Sequence, residues 1–165
     1  DAISDYLSGH GLGLDYYELV DSVVTPQVKT FLSLGFPGVI PQEECERAFT
    51  ETRPTVQAMY AQYFVEHNVD AIIAPTAVIT AIPIGAQSVF LGGQERDALP
   101  WLVANVEPAA FAGLPSLSLP AGLTQDQKLP VGLLIDGPAG EDRKVLAIGE
   151  AIEKIIPSIP PPQTD

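Results

Sequence analysis

Basic residues are scarce in this 165-residue chain: eight Lys and Arg stand against 21 Asp and Glu, a formal charge of −13. Nucleic-acid binding needs clustered cations to meet phosphates, so that class is excluded and the acidity is read as an aid to solubility. Cysteine is reduced to Cys45, which removes an internal disulfide and a thiolate metal site. Cys45 lies among Glu43, Glu44 and Glu46, the opposite of the electropositive setting a reactive thiolate needs. The two histidines, His10 and His67, give neither a metal-ligand spacing nor a convincing serine–histidine–acid set. His10 falls in a turn punctuated by Gly9, Gly11 and Gly13, and His67 near a helix end that suits a cation. No apolar run approaches the length of a membrane span. Mean hydropathy is nevertheless high at +0.20, as expected for faces that need cover from other chain. Asp1–Leu7 lacks the basic start and apolar core of a signal peptide, so a reducing cytoplasm is the expected compartment. There is no initiator Met, and the first residues read as a helix end. The expectation is a piece of a longer protein.

Proline and glycine are abundant, 16 and 14 residues, and they divide the chain into elements. Asp15–Glu18 has the spacing of a capping box opening a helix to about Val23. Thr25-Pro26 starts a second short helix, and Gly35–Pro41 is a loop. Gln42–Asn68 is helical, kinked or divided at Pro54. Phe49, Val56, Met59, Tyr60, Tyr63 and Phe64 share a broad face, read as core first and as an aryl pocket second. Val69–Ala74 reads as a buried strand stopped by Pro75-Thr76. Ala77–Ile84 is expected to be a covered loop, Gln87–Asp97 a mobile connection, and Leu99–Val106 a helical turn or two around Trp101. Asn105–Phe111 leads into the most informative stretch, and 156–165 is an extended Pro-rich tail.

That stretch runs from Ala112 to Pro138. Between Ser116 and Leu119 hydroxyls alternate with leucines, the period of a strand with two different faces, and Pro115 and Pro120 bracket it. Val131–Ile135 is apolar without alternation, as for a strand covered on both sides. Asp136-Gly137-Pro138 is a turn, and Asp142–Ile156 a helix whose Val145, Ile148, Gly149, Ile152 and Ile156 recur at helical spacing. Gly132 is expected to mark close backbone approach, and Gly137 to need a positive φ. The fold class is α/β.

Gly113–Gly122, Leu129–Leu133 and Gly137–Asp142 with its helix resemble the C-terminal part of the amidase signature family. Leu134–Pro138 is nearer its aryl-acetamide branch, the mandelamide and indoleacetamide hydrolases. The resemblance implies that 1–165 is the C-terminal segment of a single domain, part of a mixed sheet covered by helices and incomplete alone. It implies hydrolysis of a carboxamide, with an aryl-acetamide as candidate substrate, through an acyl-enzyme without metal or organic cofactor. Asp70–Thr76 resembles a family segment that would deliver Thr76 to the rim of the substrate cleft, although Thr76 could equally bond its own turn. Thr76, Asn105 and Phe111 are the candidate substrate-binding residues. The family's Ser-Ser-Lys machinery sits in a Gly/Ser-rich stretch that is missing here. Ser116 and Ser118 lack the glycine neighbours of an exposed nucleophile, and no lysine pairs with a serine motif. No catalytic residue is assigned. The implied partners are the upstream part of the same enzyme and a small amide; homo-oligomers are left open. An amidotransferase A-type subunit, or a silent assembly partner, is the alternative.

Overall fold

In a computed structural model the described residues are 2–126 and 128–159. Most of the 156–165 tail therefore lies outside the described residues. The chain divides into two compact units, Asp1–Thr50 and Glu51–Asp165.

The first unit is helical: α1 (Ala2–Gly9), α2 (Tyr16–Ser22), α3 (Pro26–Ser33) and α4 (Gln42–Arg47). The capping box forms as the spacing predicts, with the Glu18 amide donating to Asp15 Oδ1 at 2.8 Å and the Asp15 amide to Glu18 Oε2 at 3.0 Å. Tyr16 and Val20 are buried, and the Tyr16 hydroxyl donates to the Leu32 carbonyl at 2.7 Å, tying α2 to α3. Phe36 meets Tyr16 edge-on and stacks on Tyr17.

The second unit is the α/β part. The π-helical stretch Ala48–Thr52 begins in the first unit and ends in the second, where α5 spans Arg53–His67 with Pro54 in its first turn. Proline has no amide to donate backwards, so the register changes just before it. Asn68 closes α5 in the left-handed region (φ 48), and the Val69 amide still bonds to Phe64. The strand expected from Val69 consequently begins later, as β1 (Ile72–Pro75).

Residues 87–97 are no loose connection. β2 (Ser88–Leu91) and β3 (Gln94–Asp97) form an antiparallel hairpin, turned by Gly92 and Gly93, both at positive φ. Two consecutive positive-φ residues are what a two-residue hairpin turn demands, and Gly-Gly supplies them. The loop before it is not covered as expected: Val78 is exposed and Ile84 entirely so (107%). α6 (Leu99–Val103) is shorter than expected, and α7 (Glu107–Ala112) is an additional helix with Pro108 in its first turn.

β4 (Ser116–Leu123), β5 (Pro130–Asp136) and β1 make a three-stranded antiparallel sheet in the order β1-β5-β4. Pro120 lies within β4 rather than ending it. The strand is an edge and carries an irregularity between Pro120 and Gly122, where a missing donor is tolerated. α8 (Asp142–Glu153) stops before Ile156, whose amide bonds to Ile152 in the following turn.

The register separates the sheet into two faces. Ile135 sits between Ile73 and Leu117, while Asp136 sits between Ile72 and Ser116. On the first face Gly149 of α8 rests against Leu117 and Leu119, and Val145 occupies the space a side chain at Gly137 would fill. Gly137 is not at positive φ; close approach explains it instead. Ile135 is fully buried (0%).

Candidate functional site

The polar groups of the second unit gather on the other face and at the end of β1. Residues 116, 118 and 120 of β4 pair with 136, 134 and 132 of β5, so the hydroxyls of Ser116 and Ser118 stand on the same side as Asp136 and Gly132. Thr76, one residue beyond β1, donates its amide to the Gly132 carbonyl at 2.9 Å. Its side chain does not bond its own turn. Thr76 Oγ1 lies 2.6 Å from Ser118 Oγ, bridging the two outer strands above Gly132. Asn105, just after α6, donates its side-chain amide to the Pro75 carbonyl at 2.7 Å. Thr76 and Asn105 are thus brought to one place, the end of β1. Phe111 is half-buried on α7 and is not part of that bonded group.

Ser118 and Gly132 complete the ledge: the close approach expected at Gly132 is there, made by Thr76, whereas sequence reasoning missed the role of Ser118. From the sequence Ser118 reads only as a nucleophile candidate. The available signal was the Ser-Leu-Ser alternation, which places two hydroxyls on one face. The Thr76 pairing depends on the β1–β5–β4 order, which no local pattern discloses.

Next along that face, Ser116 Oγ donates to Asp136 Oδ1 at 2.6 Å. Asp136 is 5% exposed. Burial pushes its carboxyl above the ordinary 3.8, partly offset by the Ser116 hydrogen bond, which favours the charged form. Tyr60 of α5 is raised too, first by burial and then by the negative charge of Asp136. Beside it a groove of about 340 Å³ is lined by Val56, Met59, Tyr60, Tyr63, Ile72 and Pro108. The α5 aromatic stripe is therefore split: Phe64 is core, whereas Met59 and Tyr63 remain exposed in the groove.

This arrangement engages its hydroxyls in hydrogen bonds. The Ser116 hydroxyl donates a hydrogen bond to buried Asp136, and Ser118 is engaged with Thr76. Lys29, Lys144 and Lys154 are each paired with an exposed carboxylate, of Asp21, Asp70 and Glu150, at 2.8, 3.2 and 2.7 Å. Among the described residues no group of three His, Cys, Asp or Glu side chains is placed to hold a metal ion. No helix among them is long and apolar enough to cross a membrane.

Residues 15–146 match the Amidase family profile. An indoleacetamide hydrolase of Allorhizobium ampelinum is 38% identical over 94% of this chain and 34% of its own length. A mandelamide hydrolase of Pseudomonas putida is 34% identical over 98% of this chain and 33% of its own length. A crystal structure of an amidase superimposes with a TM-score of 0.68 at 26% identity, over 92% of this chain and 31% of that one. The chain spans about a third of the length of the proteins it matches.

Proposed function

The chain belongs to the amidase family, and we propose that it forms the carboxy-terminal third of a hydrolase that cleaves an aryl-acetamide to the carboxylic acid and ammonia. The observation that carries this reading is the similarity along nearly the whole chain to relatives named for indoleacetamide and mandelamide. Both names denote carboxamides one carbon away from an aromatic ring.

In this proposal the serine pair and lysine lie upstream of the chain, in a cytoplasmic enzyme. The serine oxygen bonds to the amide carbon, and the C–N bond breaks as ammonia leaves with the proton. Water then displaces the serine to release the acid. The residues of this chain bind and orient. The Thr76 hydroxyl and the Asn105 amide at the end of β1 meet the polar end of the substrate, and Phe111 adds apolar contact. The sheet that holds Thr76 is fixed by α8 on its opposite face, which makes the ledge rigid.

The test is ammonia release by the full-length protein from indoleacetamide, phenylacetamide and mandelamide, with an aliphatic amide for comparison. Turnover of the aryl-acetamides in preference is expected. No ammonia from any of the three rejects the reading.

A further inference from the structure

Gly132 sits beneath the Thr76–Ser118 contact, and its missing side chain is a structural requirement of that contact. A Cβ at residue 132 would lie 2.5 Å from Thr76 Oγ1, 3.0 Å from Thr76 Cβ and 3.1 Å from Ser118 Oγ. Both hydroxyls therefore occupy the volume a side chain would take. Thr76 is held from two further directions, by its own amide on the Gly132 carbonyl and by Asn105 on the neighbouring Pro75 carbonyl. Ser118 itself is exposed on an edge strand, so the pair faces open space rather than core.

We propose that Ser118 is a positioning residue that locks the Thr76 hydroxyl over Gly132, so that the ledge selects a carboxamide over the corresponding ester. The inference rests on the amidase reading above and adds to it a determinant of specificity. Two hydroxyls carry two hydrogens and four lone pairs. Their mutual bond consumes one of each, leaving one donor and three acceptor sites in a fixed direction. A carboxamide presents a carbonyl acceptor and N–H donors, and can satisfy both kinds of site. An ester presents acceptors only, and leaves the accepting side of the ledge without a partner. Where bound substrate keeps water from the ledge, a site built to bond an N–H discriminates against the analogue that lacks it.

The experiment uses the full-length protein with phenylacetamide and methyl phenylacetate, taking the inhibition constant of the ester where its turnover is too slow. Ser118→Ala is expected to lower kcat/KM for the amide by about tenfold, mainly through KM, and to affect the ester by less than about threefold. Ser118→Thr restores the amide preference. Thr76→Val/Ser118→Ala is no worse than Thr76→Val alone, because Ser118 acts through Thr76. Gly132→Ala, which displaces both hydroxyls, reproduces the narrowed amide-to-ester ratio and serves where Ser118→Ala does not fold. A merely structural strut would lower both substrates alike; that result, an unchanged ratio in both Ser118→Ala and Gly132→Ala, or additive losses in the double variant overturns the inference alone. A wild-type protein that releases no ammonia from phenylacetamide overturns the amidase reading and this inference with it.

Discussion

The two faces of the β1-β5-β4 sheet are made by alternate residues of the same strands, yet they do different work. On one side Leu117 and Leu119 meet α8 beside the buried Ile135, and glycines at 137 and 149 let Val145 and the leucines close in. On the other, Ser116, Ser118 and Asp136 exchange hydrogen bonds among themselves and with Thr76. Burial of apolar area stabilises the first face. The hydrogen bonds of the second contribute little net stability, because water would supply equivalent partners to its exposed members. Polar groups that a fold does not need for stability, held on a scaffold made rigid by its other face, are candidates for binding.

The contrast is sharpest at Ile135. Truncating it to Ala in the full-length protein should cost about 2–5 kcal/mol, since the site is fully enclosed and collapses poorly. Ser118→Ala, on the opposite face of the neighbouring strand, should change stability by less than about 0.5 kcal/mol. Urea titration of the two variants measures both. Equal losses would erase the distinction between the faces.

Gly137→Ala comes next, at about 1–3 kcal/mol, because the new methyl meets the stiff, branched and buried side chain of Val145. Gly149→Ala is expected to cost less. The atom it meets is the movable end of Leu117, and alanine regains about 1 kcal/mol of helix propensity over glycine. Denaturation midpoints that reverse this order would show that α8 seats differently.

Asp136 brings the two faces together, being polar yet buried. Its folded pKa is raised, so the folded state holds a proton that the unfolded chain has already lost above pH 3.8. Stability is therefore full below that value and falls as pH rises through the raised folded pKa. Asp136→Asn should abolish this fall. Ser116→Ala should deepen it, because the charged form loses its donor at 2.6 Å. Unfolding measured from pH 4 to 7 tests both, and a parallel profile for all three proteins would reject the assignment.

Much of this was legible from residues in order. The capping box of Asp15 and Glu18, Pro26 at a helix start, the two-faced Ser116–Leu119 strand and the apolar β5 depend on neighbours within a few residues, and the structure reproduces them. The errors arose where a local cue had two physical outcomes. Gly92-Gly93 can loosen a loop or turn a hairpin, and the Ser88–Glu95 side-chain bond and the strand register select the hairpin. Pro120 ends a central strand but is accepted on an edge, and edge status follows from topology. The role of Thr76 is read from the family resemblance; the ledge that joins Thr76 to Ser118 requires three strands to be set side by side.

A small effect is also expected of the ion pair beside the covered face. Lys144 of α8 reaches Asp70, just before β1, at 3.2 Å, with the two side chains 40% and 77% exposed. The pair ties α8 to the segment before β1 and could be credited with holding the helix in place. Exposed pairs gain little, because water screens them and two long side chains must be immobilised. Lys144→Ala should accordingly cost no more than about 0.5–1 kcal/mol, and half-molar salt should remove most of that difference. If α8 is seated by Val145 and Gly149, the variant keeps its amide-to-ester preference unchanged, since the ledge stands on the opposite face. A loss approaching that of Ile135→Ala, persistent in salt, would mean that charge rather than apolar contact fixes the helix that backs the ledge.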